Sequence, residues 1–142
     1  MKREKSCGAV IFKKDKDGNV LYLIEKMGLG HNSMCKGHVE ANETEHETAI
    51  REIQEETSLE VTFYEGFREE IEYRPYNNKD VMKSVVFFLA SPTDDRFAHD
   101  EHDDEVASIS FFKYEEAYKL LTHETDKDVL RKANEFIINN RL

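Results

Sequence analysis

The sequence predicts an α+β domain with helices packed on a mixed β-sheet. Three observations predict it. Short apolar runs of strand length, bounded by turn residues, recur along the chain. A well-capped helical segment interrupts them, and two further helical segments close the sequence. At 142 residues the chain has the length of a single domain, residues 1–142, large enough to bury a core.

The elements follow in order. Cys7 to Lys13 reads as a strand, and Val20 to Glu25 as a second. Asp15 to Asn19 between them is a turn, because Gly18 and Asn19 tolerate positive φ, so the pair forms a hairpin. Met27 to Cys35, with two glycines, a histidine and an asparagine, reads as loop, and Lys36 to Glu40 as a short extended piece. Thr44 is a good N-cap with Glu47 three residues on, a capping box. The helix it starts is expected to end near Thr57, with Ala49, Ile50 and Ile53 as its apolar stripe. Strands are expected over Val61–Phe63, Phe67–Tyr73, Lys83–Ala90 and Val106–Phe112, with loops at Arg74–Asp80 and Ser91–Glu105. Glu115–Leu121 and Asp128–Asn139 read as helices.

Composition limits the function. A net charge of −10 argues against a nucleic-acid coat or an anionic membrane surface as partner. A phosphorylated substrate stays compatible if a metal screens the charge locally. Two cysteines do not make a disulfide framework, and Cys7 reads as a buried thiol, so a reducing, cytoplasmic setting is expected. The apolar run Cys7–Phe12 is too short for a signal peptide, and no stretch reaches transmembrane length.

The capped helix crowds carboxylates where folding alone disfavours them. Glu52, Glu55 and Glu56 are three and four residues apart, and so fall in one sector about 100° wide. Glu55 and Glu56 also lie in the last turn, where the macrodipole disfavours anions. Glu45 and Glu47, by contrast, suit a helix start. Arg51 is the sole Lys or Arg between Glu40 and Glu60 and cannot neutralise the group alone. A solvated acidic face is one reading. A site for a hard divalent cation is the other, since Mg²⁺ prefers oxygen ligands, with waters and phosphates completing its shell.

The spacing goes further. Gly37, Glu43, Arg51, Glu52, Ile53, Glu55, Glu56 and Leu59 fall on eight of the nine specified positions of a 23-residue signature. The stretch resembles the Nudix box of the Nudix hydrolases, and Ser58 stands where that family usually has Gly. The resemblance implies the Nudix fold, a mixed sheet sandwiched between helices. It also implies Mg²⁺- or Mn²⁺-dependent hydrolysis of a nucleoside diphosphate linked to another group. Carried over by residue, Glu52, Glu55 and Glu56 become metal carboxylates, with Glu52 alternatively the base for the attacking water. The Gly37 carbonyl becomes a further ligand, and Arg51 orients Glu52 and pairs with Glu43. Glu105, just before the last strand, corresponds to a glutamate that reaches the metal or the water.

Cys7–Phe12, Lys36–Glu40 and Glu65–Glu70 are also similar to the asymmetrical diadenosine tetraphosphate hydrolases. That likeness implies phosphate contacts from His31 and Lys36. Residues 32–35, however, depart from the aromatic and proline residues usual there. Tyr73 and Tyr76 are candidates to stack on adenine, and Lys79 and Lys83 to meet outer phosphates. The expected reaction is diadenosine tetraphosphate to ATP and AMP. The alternatives are a MutT-type nucleoside triphosphate pyrophosphohydrolase, an RNA 5′-pyrophosphohydrolase and a non-catalytic nucleotide-binding domain. The expected partner is a small nucleotide, with nucleic acid entering only as an RNA 5′ end, no membrane, and monomer or homodimer both open.

Overall fold

A computed structural model describes residues 2–75, 77–93 and 106–142. The elements are β1 (Lys2–Lys14), β2 (Val20–Met27), β3 (Asn32–Ser33), β4 (Lys36–His38), α1 (Glu45–Thr57), β5 (Val61–Tyr73), β6 (Val81–Pro92), β7 (Val106–Lys113), α2 (Tyr114–Leu120) and α3 (Glu124–Asn139). The sheet is mixed. β1 runs parallel to β6 and antiparallel to β2 and β4. β5 closes one edge against β6, while β7 and β3 pair with β2.

The parity of β1 and β6 explains the layers. Side chains alternate faces along a strand, and both strands are apolar on both faces, as strands covered twice must be. Val10, Phe12, Val85, Phe87 and Leu89 share a core with α2 and α3 through Ala117, Leu121, Leu130 and Ile137. Cys7, Ala9, Ile11, Val86, Phe88 and Ala90 share the opposite core with Ala49, Ile53 and Leu59 of and beside α1. The expected sandwich of a mixed sheet between helices is therefore present.

Several boundaries differ from expectation. β1 begins at Lys2 rather than Cys7, because its polar first residues pair in register with Val81–Val85 of β6. The two strands expected at 61–73 are one strand, with a register shift between Phe63 and Arg68. Gly66 lies in that shift at φ 97°, in the left-handed region that favours glycine. The segment read as loop before Lys36 contains β3. Ile50 does not join the apolar stripe: it is 42% exposed, and Thr48 is buried with Ala49 and Ile53 instead. Among the described residues no helix is long and apolar enough to cross a membrane.

Candidate active site

Helix α1 starts with the capping box that the sequence predicts. Thr44 Oγ1 accepts from the Glu47 amide at 3.1 Å, and Glu47 Oε1 accepts from the Thr44 amide at 2.9 Å. Glu45 reaches outward instead. It accepts from Lys5 Nζ at 2.6 Å and from Arg68 Nη2 at 2.8 Å, tying α1 to β1 and β5. Arg68 and Lys5 hold its carboxyl down at about 2.

Arg51 is the hub of the solvent side. Its Nε donates to Glu43 Oε2 at 2.7 Å, its Nη1 to Glu52 Oε1 at 2.9 Å and to Glu55 Oε2 at 3.2 Å. Its Nη2 donates to the His38 carbonyl at 2.8 Å, which fastens the helix to β4. Glu43 Oε1 also accepts from Thr48 Oγ1 and from the Glu40 amide, both at 2.9 Å. The Arg51 hydrogen bond, with the Glu40 amide next, holds the Glu43 carboxyl at about 2. Both groups are thus fixed in their charged forms.

Gly37 meets the helix at Glu52. A side chain at position 37 would run into the Glu52 carboxyl, so only glycine lets the β4 backbone lie against it. Ser58, where the signature usually has glycine, caps α1 in the left-handed conformation at φ 64°. Its amide bonds the Gln54 carbonyl, so the closing turn forms despite the Cβ. Thr57 Oγ1 supports the turn, donating to Ile53 O at 2.6 Å and accepting from the Leu59 amide at 3.1 Å.

The three box carboxylates fan across their sector. Glu55 is outermost, its side chain 54% exposed, while that of Glu52 is 14% exposed. Glu56 turns inward and is 5% exposed. There it meets two residues not singled out from the sequence as site residues, Glu25 of β2 and Cys35. Glu25 is 1% exposed. One signal pointed to it: it follows Leu23 by two residues, so it shares the face that Leu23 buries toward α1. Glu56 Oε2 is buried without a hydrogen-bond partner among the described residues. Burial, then the adjacent Glu25 carboxyl, raises the Glu56 pKa far above the usual carboxylate range.

A cavity of about 710 Å³ is lined by His31, Lys36, Tyr73, Lys79 and His123, among others. Its wall gathers the basic side chains Lys36 and Lys79 in a chain of net charge −10. Arg74 adds to its wall, and Glu124 to Asp126, the first turn of α3, close it. Burial, then His123 and Lys36, lowers the His31 pKa. Asp126 is buried beside Lys36 and His123, and burial raises its pKa. His123 and Asp126 were not singled out from the sequence, because only the fold brings α3 to this wall. Of the substrate residues expected, His31, Lys36 and Tyr73 are brought together. Lys83 stands opposite Tyr73 in the β5–β6 register but does not line the cavity, whereas Lys79 does. Tyr76 and Glu105, with the rest of the acidic stretch 94–105, lie outside the described residues.

The NUDIX domain family model matches residues 2–133, nearly the whole chain. The protein belongs to the Nudix family. As a Nudix hydrolase it is an enzyme that acts on small nucleotide substrates, and such hydrolases generally use divalent metals. The chain is 30% identical over 149 residues to the bis(5′-nucleosyl)-tetraphosphatase [asymmetrical] of Sus scrofa, covering 94% of this chain and 95% of that one. It is likewise 30% identical over 146 residues to the Mus musculus protein of the same name, with the same coverage. The crystal structure of a Caenorhabditis elegans Ap4A hydrolase binary complex superposes with a TM-score of 0.84 at 27% identity, covering 96% of this chain and 98% of that one. The residues present fit a divalent cation: a buried carboxylate oxygen without a partner, a carboxylate held against a glycine backbone, and a third carboxylate at the surface.

Proposed function

We propose that this Nudix enzyme cleaves bis(5′-nucleosyl) tetraphosphates, diadenosine tetraphosphate to ATP and AMP, by attack of water on phosphorus. The observation that carries the reading is the adjacency of Lys36 and Gly37. Lys36 lines the cavity with Lys79 and His31, and Gly37 lies against Glu52. A polyphosphate held by His31, Lys36 and Lys79 therefore runs toward the carboxylates of the box. The near-full-length relatives carrying that enzyme name support the same substrate.

Glu52, Glu55, Glu56 and the Gly37 carbonyl would hold Mg²⁺ or Mn²⁺. A dication bound there supplies charge neutralisation on the phosphate oxygens and an acidified water. The chain's own residues do the rest. Arg51 and Glu43 position Glu52, which either ligates the cation or takes the proton of the attacking water. His31, Lys36 and Lys79 orient the phosphate chain, and fixing that geometry converts binding into rate. Tyr73 offers an aromatic face to adenine. Glu105 and Tyr76 keep the roles expected of them, a carboxylate near the water and a second stacking surface. The two free thiols, Cys7 and Cys35, are both buried, which suits a reducing cytoplasmic setting. We read residues 1–142 as one catalytic domain.

A substrate panel with Mg²⁺ tests the assignment. ATP plus AMP from diadenosine tetraphosphate is the expected result. Faster release of pyrophosphate from a deoxynucleoside triphosphate, or from an RNA 5′ end, would overturn it.

A further inference from the structure

Behind the box helix lies a second group of donor atoms. Glu25 comes from β2, Cys35 from the junction of β3 and β4, and Glu56 from α1. A carboxylate oxygen of Glu25, the Cys35 sulfur and a carboxylate oxygen of Glu56 lie within 4.8 Å of one another. All three residues are buried, in the layer built from Leu23, Ala49 and Ile53. Two carboxylates in such a place are both ionised only where a cation meets them, and otherwise share a proton. Arg51, the basic residue of α1, faces the other way and is engaged by Glu43, Glu52 and Glu55. Glu56, whose Oε2 has no hydrogen-bond partner among the described residues, belongs to this donor group.

The donor set differs in kind from the outer one. Mg²⁺ takes oxygen ligands and keeps its waters, so a buried thiol is foreign to it. Zinc and its first-row neighbours accept thiolate and carboxylate together. Around a tetrahedral ion at about 2.0–2.3 Å, ligand atoms stand roughly 3.3–3.8 Å apart. Closing the trio therefore takes small side-chain shifts. Cys35 is a free thiol and available as a ligand.

We propose that Glu25, Cys35 and Glu56 form a buried site for a borderline transition-metal dication of the Zn²⁺ or Co²⁺ class, separate from the oxygen-only position at Glu52 and Glu55. The inference meets the hydrolase reading at one residue, the shared Glu56. The thiol selects the ion, and Glu56 couples the two positions.

Co²⁺ titration of the metal-free, reduced protein tests it. Thiolate ligation gives an intense near-ultraviolet charge-transfer band that oxygen ligation does not give. The expected result is a band saturating at one equivalent, displaced by Zn²⁺ and not by excess Mg²⁺. It is lost in Cys35→Ser, retained in Cys7→Ser, and needs at least tenfold more Co²⁺ in Glu25→Gln. Glu55→Gln keeps the band while turnover falls, so failure of the hydrolase reading and failure of this one show separately. Absence of the band in the wild-type protein overturns the proposal whatever the variants do, and so does its loss in Cys7→Ser with persistence in Cys35→Ser. Far-ultraviolet circular dichroism of each metal-free variant checks that it folds.

Discussion

The two sides of helix α1 carry the same residue type and opposite energetics. On the solvent side Glu43, Glu52 and Glu55 converge on Arg51, and every contact is charge-assisted. On the inner side Glu56 sits beside Glu25 and Cys35 with an unpartnered oxygen. The outer acids stabilise the fold as it stands. The inner pair costs stability when Glu56 ionises, because burial and the Glu25 carboxyl disfavour its charged form. Folding alone does not retain such a cost, and local conflicts of this kind concentrate at functional sites. Our proposal puts the cation at the inner edge of the helix.

Removing the inner acid is the strongest way to break the contrast. Glu56→Gln should lower turnover by roughly 10³-fold, about 4 kcal/mol of barrier, with the fold intact. Steady-state kinetics beside circular dichroism checks this, and near-normal turnover would sink it. Removing the outer hub should act on stability instead. Arg51→Ala leaves Glu43 and Glu52 facing each other without their cation, at a cost of about 2–3 kcal/mol in denaturant unfolding.

Acid separates the two sides by sign. Glu43 and Glu45 have folded values of about 2 against an ordinary 4.5. The unfolded chain therefore takes up protons first, and their contribution is complete above about 4.5 and fades as pH falls to about 2. Glu56 is raised, so its cost is absent below about 4.5 and grows as pH rises. In metal-free protein, Glu45→Gln should flatten the acid limb of the melting-temperature profile, and Glu56→Gln the decline on the neutral side. Identical profiles for the two variants would refute the distinction. The smallest effect is expected at the closing turn of the helix. Ser58→Gly should stabilise by about 1 kcal/mol, because glycine occupies the left-handed cap without a Cβ penalty.

What could be read from the sequence follows the same division. The cap at Thr44 and the span of α1 depend on spacings within one helix, and local spacing is visible in a sequence, whereas the pairing of Arg51 with Glu43 is what the resemblance to the Nudix box implies. Glu25 depends on which face of β2 meets α1, and that is set by pairing with β1 and β7. His123 and Asp126 come to the cavity because α3 folds back across residues nearly a hundred positions earlier. Lys2–Ser6 precedes the apolar run that marks the first strand, yet register with β6 supplies the hydrogen bonds that apolar pattern does not announce. Ile50 fits a helical stripe on paper, but the sheet beneath α1 covers Thr48, Ala49 and Ile53 and leaves it outside.

Metal-linked thermal unfolding tests the central claim most directly. Wild type and Glu56→Gln are melted without metal and with saturating Mn²⁺. An ion at about 100 times its Kd adds about 2.7 kcal/mol to the state that binds it. The account predicts that Mn²⁺ raises the wild-type Tm by several degrees, while Glu56→Gln starts higher without metal and barely responds. Equal metal-induced shifts in both proteins would contradict it.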